Sequence, residues 1–469
     1  MTWLPLKTSI TIAAFVVIAA LPDLIPQLAN FKIVEWRNLA SVLDFHTKDI
    51  PSEAEAEQAR LNPDTPLQSD SVYPLLDAGA SLDHFYESLH QTELHTDGAI
   101  TNILHYGDSP TTADLITADL RVLLQKQFGD AGHGYLLVGK PWAWYGHRGF
   151  DISNSGWQIT PANLSEVRNG LFGLGGVVFR GSPGSSSRLS ARDSAYTQVE
   201  ISYLHEPGGG IFEVLAGGTS LGEIDTNYPQ ILSGFASFPV PPESKRFELR
   251  VRGGNPRLFG AYFTKPGPGI VYNSLGVNGA YVAILSRMFQ EQHWSEQLKH
   301  YKPDLIIVNY GTNESVYASF VDTSYAKELR EVIHRIHTAV PDTSILVMSP
   351  MDRGQRTPTG EISSVPALVR LVNLQQRIAA ETGCGFFNTF QAMGGPGTMG
   401  RWYNAEHRLV SADFIHPMPG GAKLVGNLLY RALTNGYNKY KVRRMQERLA
   451  STDPAISTGN PKAKAVAAR

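Results

Sequence analysis

The stretch Asn102-Ile103-Leu104-His105-Tyr106-Gly107-Asp108-Ser109-Pro110 decides how the rest of the chain is read. Its first five residues read as a strand, and Gly107-Asp108-Ser109 reads as a tight turn closing it. Pro110 stands where a helix takes its first turn. Beyond it Leu115, Leu120, Leu123, Leu124 and Phe128 recur at roughly helical spacing as far as Gly129. Strand, turn and helix in this order form the opening unit of a doubly wound sheet, whose carboxyl edge is where open α/β sheets bind ligands. Ser109 therefore stands at that edge with a helix N-terminus beside it, a place that favours developing negative charge. A Gly-Asp-Ser turn by itself is as readily a helix cap, and a neutral hydroxyl becomes a useful nucleophile only with a base at hand.

Working outward, Leu82, Phe85 and Leu89 predict an amphipathic helix leading into this strand. From residue 141 to residue 266 the texture changes. Runs at 199–203 and 247–251 alternate apolar with polar side chains, and Gly pairs and triplets separate them, the pattern of an antiparallel β-sandwich. The α/β texture then resumes. Residues 305–309 (LIIVN) predict a buried parallel strand, followed by a helix near 325–340, a strand at 345–348, a helix near 365–382, a short strand at 386–387 and a last helix over 420–449. The expected fold is a doubly wound, flavodoxin-like parallel sheet with helices on both faces, split into 79–140 and 267–449 by a β-sandwich at 141–266.

Before this lies an uncharged run at residues 10–21 (ITIAAFVVIAAL) behind Lys7. It is short for a spanning helix, which needs roughly 20 residues, and suits the core of an export signal. Residues 1–22 read as a signal peptide or a membrane anchor, sending the protein to the periplasm or cell envelope, in the second case tethered to the inner membrane. Residues 23–78 read as a spacer and 450–469 as a disordered tail.

Among 469 residues, 41 are Lys or Arg and 43 are Asp or Glu, a formal net charge of -2. No global field of that size gathers nucleic acid. Hydrophobic residues at 42% and charged residues at 18% are ordinary for a globular chain and exclude a wholly disordered or multi-span membrane protein. The single cysteine, Cys384, forms no internal disulfide and excludes Cys-rich metal sites.

A base for Ser109 is offered by Asp413-Phe414-Ile415-His416-Pro417, where one short loop can present carboxylate and imidazole together. Asp413 would orient His416, whose other nitrogen would take the Ser109 proton. The strand at 305–309 runs into Tyr310-Gly311-Thr312-Asn313-Glu314, which puts an amide at the same sheet edge. The stretch Ser274-Leu275-Gly276-Val277-Asn278-Gly279-Ala280 adds a glycine loop. The Ser109 and Gly279 N–H groups with the Asn313 side chain would make a three-donor oxyanion hole.

Ser109, Gly279, Asn313 and His416, in that chain order, resemble the four signature blocks of the SGNH (GDSL-type) hydrolases. The resemblance covers about residues 80–445. It is strongest to bacterial peptidoglycan O-acetylesterases, in which a carbohydrate-binding-like β-sandwich separates the serine block from the glycine block. Residues 128–134 (FGDAGHG) and 267–276 (GPGIVYNSLG) are similar to that subgroup as well. One departure is Gly311-Thr312-Asn313-Glu314, where the family's block reads Gly-x-Asn-Asp. The resemblance implies an exported serine esterase that removes O-acetyl groups from an acetylated cell-wall glycan through an acyl-enzyme, with no metal and no cofactor. An O-acetyltransferase, an esterase for another acetylated polysaccharide and a non-catalytic glycan-binding envelope protein are the alternatives.

Other residues invite a role. Trp142, Trp144, Tyr145 and Trp157 cluster at the start of the inserted region and suit either sugar stacking or core packing. His334 and His337, one turn after Glu331, read as surface residues rather than metal ligands. His105 reads as packing, Asp108 as a structural hydrogen-bonding residue, and Met351, Asp352 and Arg353 follow a strand end that leads either to the pocket or away from it.

Overall fold

The computed structural model describes residues 73–452 except 78, 164–168 and 193–195. The apolar run at 10–21, nearly all of the spacer and the residues after 452 lie outside them. Among the described residues, no helix is long and apolar enough to cross a membrane.

Six strands, β1 (Ile100–Gly107), β2 (Asp130–Gly132), β3 (Gly269–Gly276), β4 (Leu305–Asn309), β5 (Ser344–Met348) and β6 (Gly385–Phe387), pair in parallel in the order β6-β5-β4-β1-β3-β2. The helices around them are α1 (Asp83–Glu93), α2 (Leu115–Phe128), α3 (Glu291–Tyr301), α4 (Tyr325–Ala339), α5 (Pro366–Glu381) and α6 (Pro419–Thr452). Successive strand residues point to opposite faces, and here both faces are dry. Leu104 and Tyr106 of β1 with Ile306 and Val308 of β4 join one core, where Leu329, Val332 and Ile336 of α4 and Leu368 and Leu371 of α5 meet them. Ile103, Leu305 and Ile307 join the other, closed by Phe85 and Leu89 of α1, Leu120 and Leu124 of α2, and Val425 and Leu429 of α6. That double burial is why residues 305–309 carry no polar alternation. It is the doubly wound sheet the sequence leads one to expect.

Two features go beyond the sequence pattern. The first is strand order. β2 takes the sheet edge, the chain leaves for the sandwich, and on its return β3 fills the slot between β2 and β1. Gly276, at the end of β3, lies so close to the turn after β1 that an added Cβ would meet Thr112 N at 2.1 Å, so a side chain there would push strand and turn apart. The second is a break in the helix after Pro110. A single turn, Ser109–Thr112, is separated from α2 by Asp114, whose φ of 51° lies in the left-handed region.

The insert is antiparallel throughout. One sheet runs in the order Thr219–Asp225, Gly210–Ala216, Arg246–Gly254, Ser186–Ala191, Phe150–Ser155. The other runs Leu232–Pro239, Gln198–His205, Arg257–Thr264, Val177–Arg180, Gln158–Pro161. Gly134–Leu137 pairs with Arg257–Thr264, so antiparallel pairing begins ahead of residue 141, where the change of texture begins in the sequence. Sandwich residues such as Phe179, Phe212 and Phe263 belong to the same continuous core as Tyr106 and Trp294.

Candidate active site

Three loops meet at the carboxyl edge of the sheet because of strand register. Gly107 lies opposite Gly276 on one side and Asn309 on the other. Ser109, Gly279 and Asn313, each a few residues past those partners, therefore emerge side by side. Gly279 has φ of 67°, a left-handed conformation that any Cβ would strain.

The histidine arrives on the loop before α6, which is folded on itself. Ser411 N–H donates to His416 O at 2.9 Å, and Val410 and Pro417 form an antiparallel bridge. Asp413 organises this loop with one oxygen and the imidazole with the other. Its Oδ1 accepts from the N–H groups of Ile415 (2.9 Å) and His416 (3.1 Å) and from the Ser411 hydroxyl. Its Oδ2 lies 2.5 Å from His416 Nδ1, and His416 Nε2 lies 2.7 Å from Ser109 Oγ. With the imidazole proton on Nδ1, Ser109 donates to Nε2 and Nδ1 donates to Asp413.

The electrostatics follow from these contacts. The hydrogen bond that His416 donates to Asp413 raises the His416 pKa above its ordinary 6.5, against a smaller opposing effect of burial. Desolvation pushes the Asp413 carboxyl up, but the hydrogen bonds from His416 and Ser411 outweigh it and hold it well below the usual carboxylate range. Imidazolium and carboxylate thus stabilise each other, as a base about to receive a proton requires.

On the other flank, Asn313 Nδ2 donates one of its two protons to Ala280 O at 3.0 Å, which leaves the second for an acyl oxygen. Glu314, fully buried, accepts from Val282 N–H at 2.7 Å, while its Oε2 has no hydrogen-bond partner among the described residues. Burial pushes its pKa up to about 8. Asp108 is buried too, and desolvation raises it to about 6, with a hydrogen bond from Thr312 and the charge of His416 acting in the opposite sense. Arg353 ties the two flanks together. Its Nη1 donates to Thr312 O at 2.8 Å, and the next residue, Gly354, donates its N–H to Phe414 O at 2.9 Å. Of the trio after β5, Met351 packs in the core and Asp352 accepts from Met399 N–H at 2.9 Å, so only Arg353 reaches the site.

The remaining sequence suggestions resolve individually. His105 packs with Nδ1 2.6 Å from the Tyr272 hydroxyl, and burial lowers its pKa to about 4. Tyr145 is buried and accepts from Leu137 N–H, and the half-buried Trp157 donates to Ser186 O. Trp144 is 47% exposed and donates to Asn278 Oδ1 at 3.1 Å, next to Gly279. His334 is exposed, and among the described residues no metal-ligating group gathers around it. A cluster that sequence reading did not find is Asp114, His133 and His147, all buried with ligand atoms within 4.8 Å of one another. It does not suit a metal: both Asp114 oxygens are taken by Arg121, with Thr117 and Arg148 N–H completing them. A cation there would face a buried guanidinium.

Comparison with known proteins bears on the same residues. The profile of the GDSL-like lipase/acylhydrolase family matches residues 244–424, which hold Gly279, Asn313, Asp413 and His416. Ser109 lies outside it, separated by the inserted sandwich. A solved structure described as a peptidoglycan O-acetylesterase superposes with a TM-score of 0.66 at 22% identity, covering 78% of this chain and 99% of its own. Two others align at low TM-scores and add nothing to the assignment. They are a family two carbohydrate esterase from Clostridium thermocellum (0.27, 13% identity, 60% of this chain and 100% of that one) and the salicylyl-acyltransferase SsfX3 (0.28, 12% identity, 64% and 97%). No curated protein sequence matches the chain. Residues 244–424, around the glycine, asparagine and histidine loops, are thus similar to the GDSL-like lipase/acylhydrolase family, and the chain shares its fold with a peptidoglycan O-acetylesterase.

Proposed function

We propose that this protein is a carbohydrate O-acetylesterase whose substrate is O-acetylated peptidoglycan, working through an acyl-enzyme on Ser109. The observation that carries the reading is the unbroken line from Asp413 Oδ2 through His416 to Ser109 Oγ, at 2.5 and 2.7 Å. In the first half-reaction Ser109 Oγ attacks the acetyl carbonyl as its proton passes to His416 Nε2. The acyl oxygen becomes an oxyanion held by the Ser109 and Gly279 N–H groups and the free Asn313 proton. As the tetrahedral adduct collapses, His416 returns the proton to the departing sugar oxygen, leaving acetyl-Ser109. A water then repeats the cycle with His416 as base, releasing acetate and restoring the serine.

Hydrolysis rather than transfer to a second sugar is favoured by solvent access. The His416 and Asp413 side chains are 42% and 43% exposed, so water has a direct path to the base. The half-exposed Trp144 beside the Gly279 loop offers a sugar ring an apolar face. A peptidoglycan substrate fits export directed by residues 1–22, with the enzyme acting in the cell envelope. The test is acetate release from O-acetylated peptidoglycan and from acetylated xylan without any added acceptor, using wild type and Ser109→Ala. Preferential Ser109-dependent release from peptidoglycan supports the reading. Equal or greater release from xylan refutes the substrate, and undiminished release by Ser109→Ala refutes the chemistry.

A further inference from the structure

Glu314 is a carboxyl that the reaction above does not use, on a side chain with no exposure, one residue from an oxyanion donor. Its Oε1 accepts from Val282 N–H across a sequence separation of 32 residues. That bond acts on the same loop as the Asn313 bond to Ala280 O. The two fix the backbone on the carboxyl side of Gly279, while Val277 N–H, donating to Gly107 O at 3.0 Å, fixes the other side. Tyr281 of the loop also meets Tyr317, at the rim rather than behind the Gly279 N–H. We propose that Glu314 is a positioning residue: through its bond to Val282 it sets the Gly279 N–H at the acyl oxygen, completing the oxyanion hole. This rests on the reading of Gly279 as a donor.

The protonation state suits that task. A carboxylate behind an oxyanion hole would oppose the charge the hole must stabilise, whereas a neutral acid can accept from Val282 without that penalty. The titratable groups that act on Glu314 are Asp108 at the end of β1, Tyr310 after β4, Tyr281 on the loop itself and Tyr325 of α4. All of them are acids, and no cation among them draws a proton off Glu314. Burial holds its pKa near 8, above the ordinary 4.5, so the neutral form is the one the fold favours. Any stability from this preference is complete at low pH and is lost as pH rises through about 8.

The experiment measures kcat and KM on an aryl acetate from pH 6 to 9 for the full chain, wild type, Glu314→Gln and Glu314→Ala, with thermal melts for each. Glu314→Ala is expected to lower kcat on the order of 100-fold, the effect of losing one oxyanion donor, with KM within about threefold. Glu314→Gln keeps an acceptor for Val282 N–H and cannot ionise. It should recover most of that loss, and the fall in wild-type kcat above about pH 8 should be absent from it. Wild-type kcat in Glu314→Ala, a Gln variant as impaired as Ala, or an alkaline fall retained in Glu314→Gln would each overturn the proposal. If Glu314→Ala does not fold, the alkaline limb of Glu314→Gln decides alone. Ser109→Ala run in parallel separates the two claims: full activity there sinks the serine mechanism, whereas its loss beside an unaffected Glu314→Ala sinks only the positioning role.

Discussion

The two flanks of Ser109 are built in opposite ways. On the histidine side, Asp413 and His416 stand more than two-fifths exposed, and all the hydrogen bonds of Asp413 fall within residues 411–416. On the asparagine side, Glu314 is fully buried and the bonds that shape the site join segments more than 30 residues apart. The contrast matches what each side would have to do in the proposed reaction. A group that trades protons with substrate and water needs solvent and a locally closed circuit. Donors that meet a developing charge act more strongly in a dry, fixed surround. Substitutions on the histidine side should therefore act through proton transfer and the acidic limb of the pH profile, and those on the asparagine side through transition-state charge, with Glu314 governing the alkaline limb.

The largest effect is expected where both flanks converge. Ser109→Ala or His416→Ala should lower kcat for an aryl acetate by about 10⁵-fold or more, because either removes a member of a unit that works only whole. Circular dichroism should remain unchanged. Next comes Asp413→Asn, expected to cost about 10⁴-fold by favouring the wrong imidazole tautomer. Its pH profile carries the sharper information. His416 must be neutral to act as base, and Asp413 holds its pKa above 6.5. Wild-type activity should therefore climb with pH through a midpoint above 6.5, and the residual activity of Asp413→Asn should climb at lower pH. A midpoint that does not move would mean that Asp413 holds the loop without tuning the base.

The same contrast explains what could be read from the sequence. Elements held by local periodicity were legible: the buried strand at Leu305–Asn309, the helix Pro366–Glu381, and the strand Gln198–His205 with its polar alternation. The Asp413–His416 loop was legible as well, since its partners lie three positions apart. Strand order was not. Nothing in residues 267–276 announces that they will slide between β1 and β2, a placement set by packing of Gly276 against the Thr111–Thr112 turn. Nor did the sequence reveal Glu314 reaching Val282 or Arg353 reaching Thr312. A bond across 32 or 41 residues leaves no period, and whether a carboxyl is dry depends on neighbours from several elements. The Asp114–Arg121 pair, close in sequence, escaped along with His133 and His147 because their burial depends on neighbours from several elements.

A smaller loss separates the donors from the relay. Asn313→Ala should lower kcat by about 10²–10³-fold, the range for one oxyanion donor. The acidic limb of the pH profile should stay where the wild type has it, because the amide does not touch His416. If the limb shifts with Asn313→Ala, the flanks are not independent and the division of labour fails. A double substitution with Asp413→Asn makes the check quantitative: distant sites should multiply their losses, while members of one unit would fall short of that product.

The smallest effect concerns the rim rather than the chemistry. Trp144 presents nearly half of its surface to solvent, and its indole N–H is held by Asn278, one residue before Gly279. That bond orients the ring without covering its faces, an arrangement suited to stacking a sugar next to the scissile ester. Trp144→Ala should lower the ratio of kcat/KM on acetylated glycan to that on aryl acetate roughly threefold to tenfold, the equivalent of about 0.5–1.5 kcal/mol for an aromatic contact. A Phe replacement keeps the face and loses the N–H, so it distinguishes stacking from anchoring. A ratio restored by Phe assigns the effect to the ring. A ratio that stays low, with kcat on aryl acetate falling too, would assign it to the Asn278 bond and hence to the glycine loop.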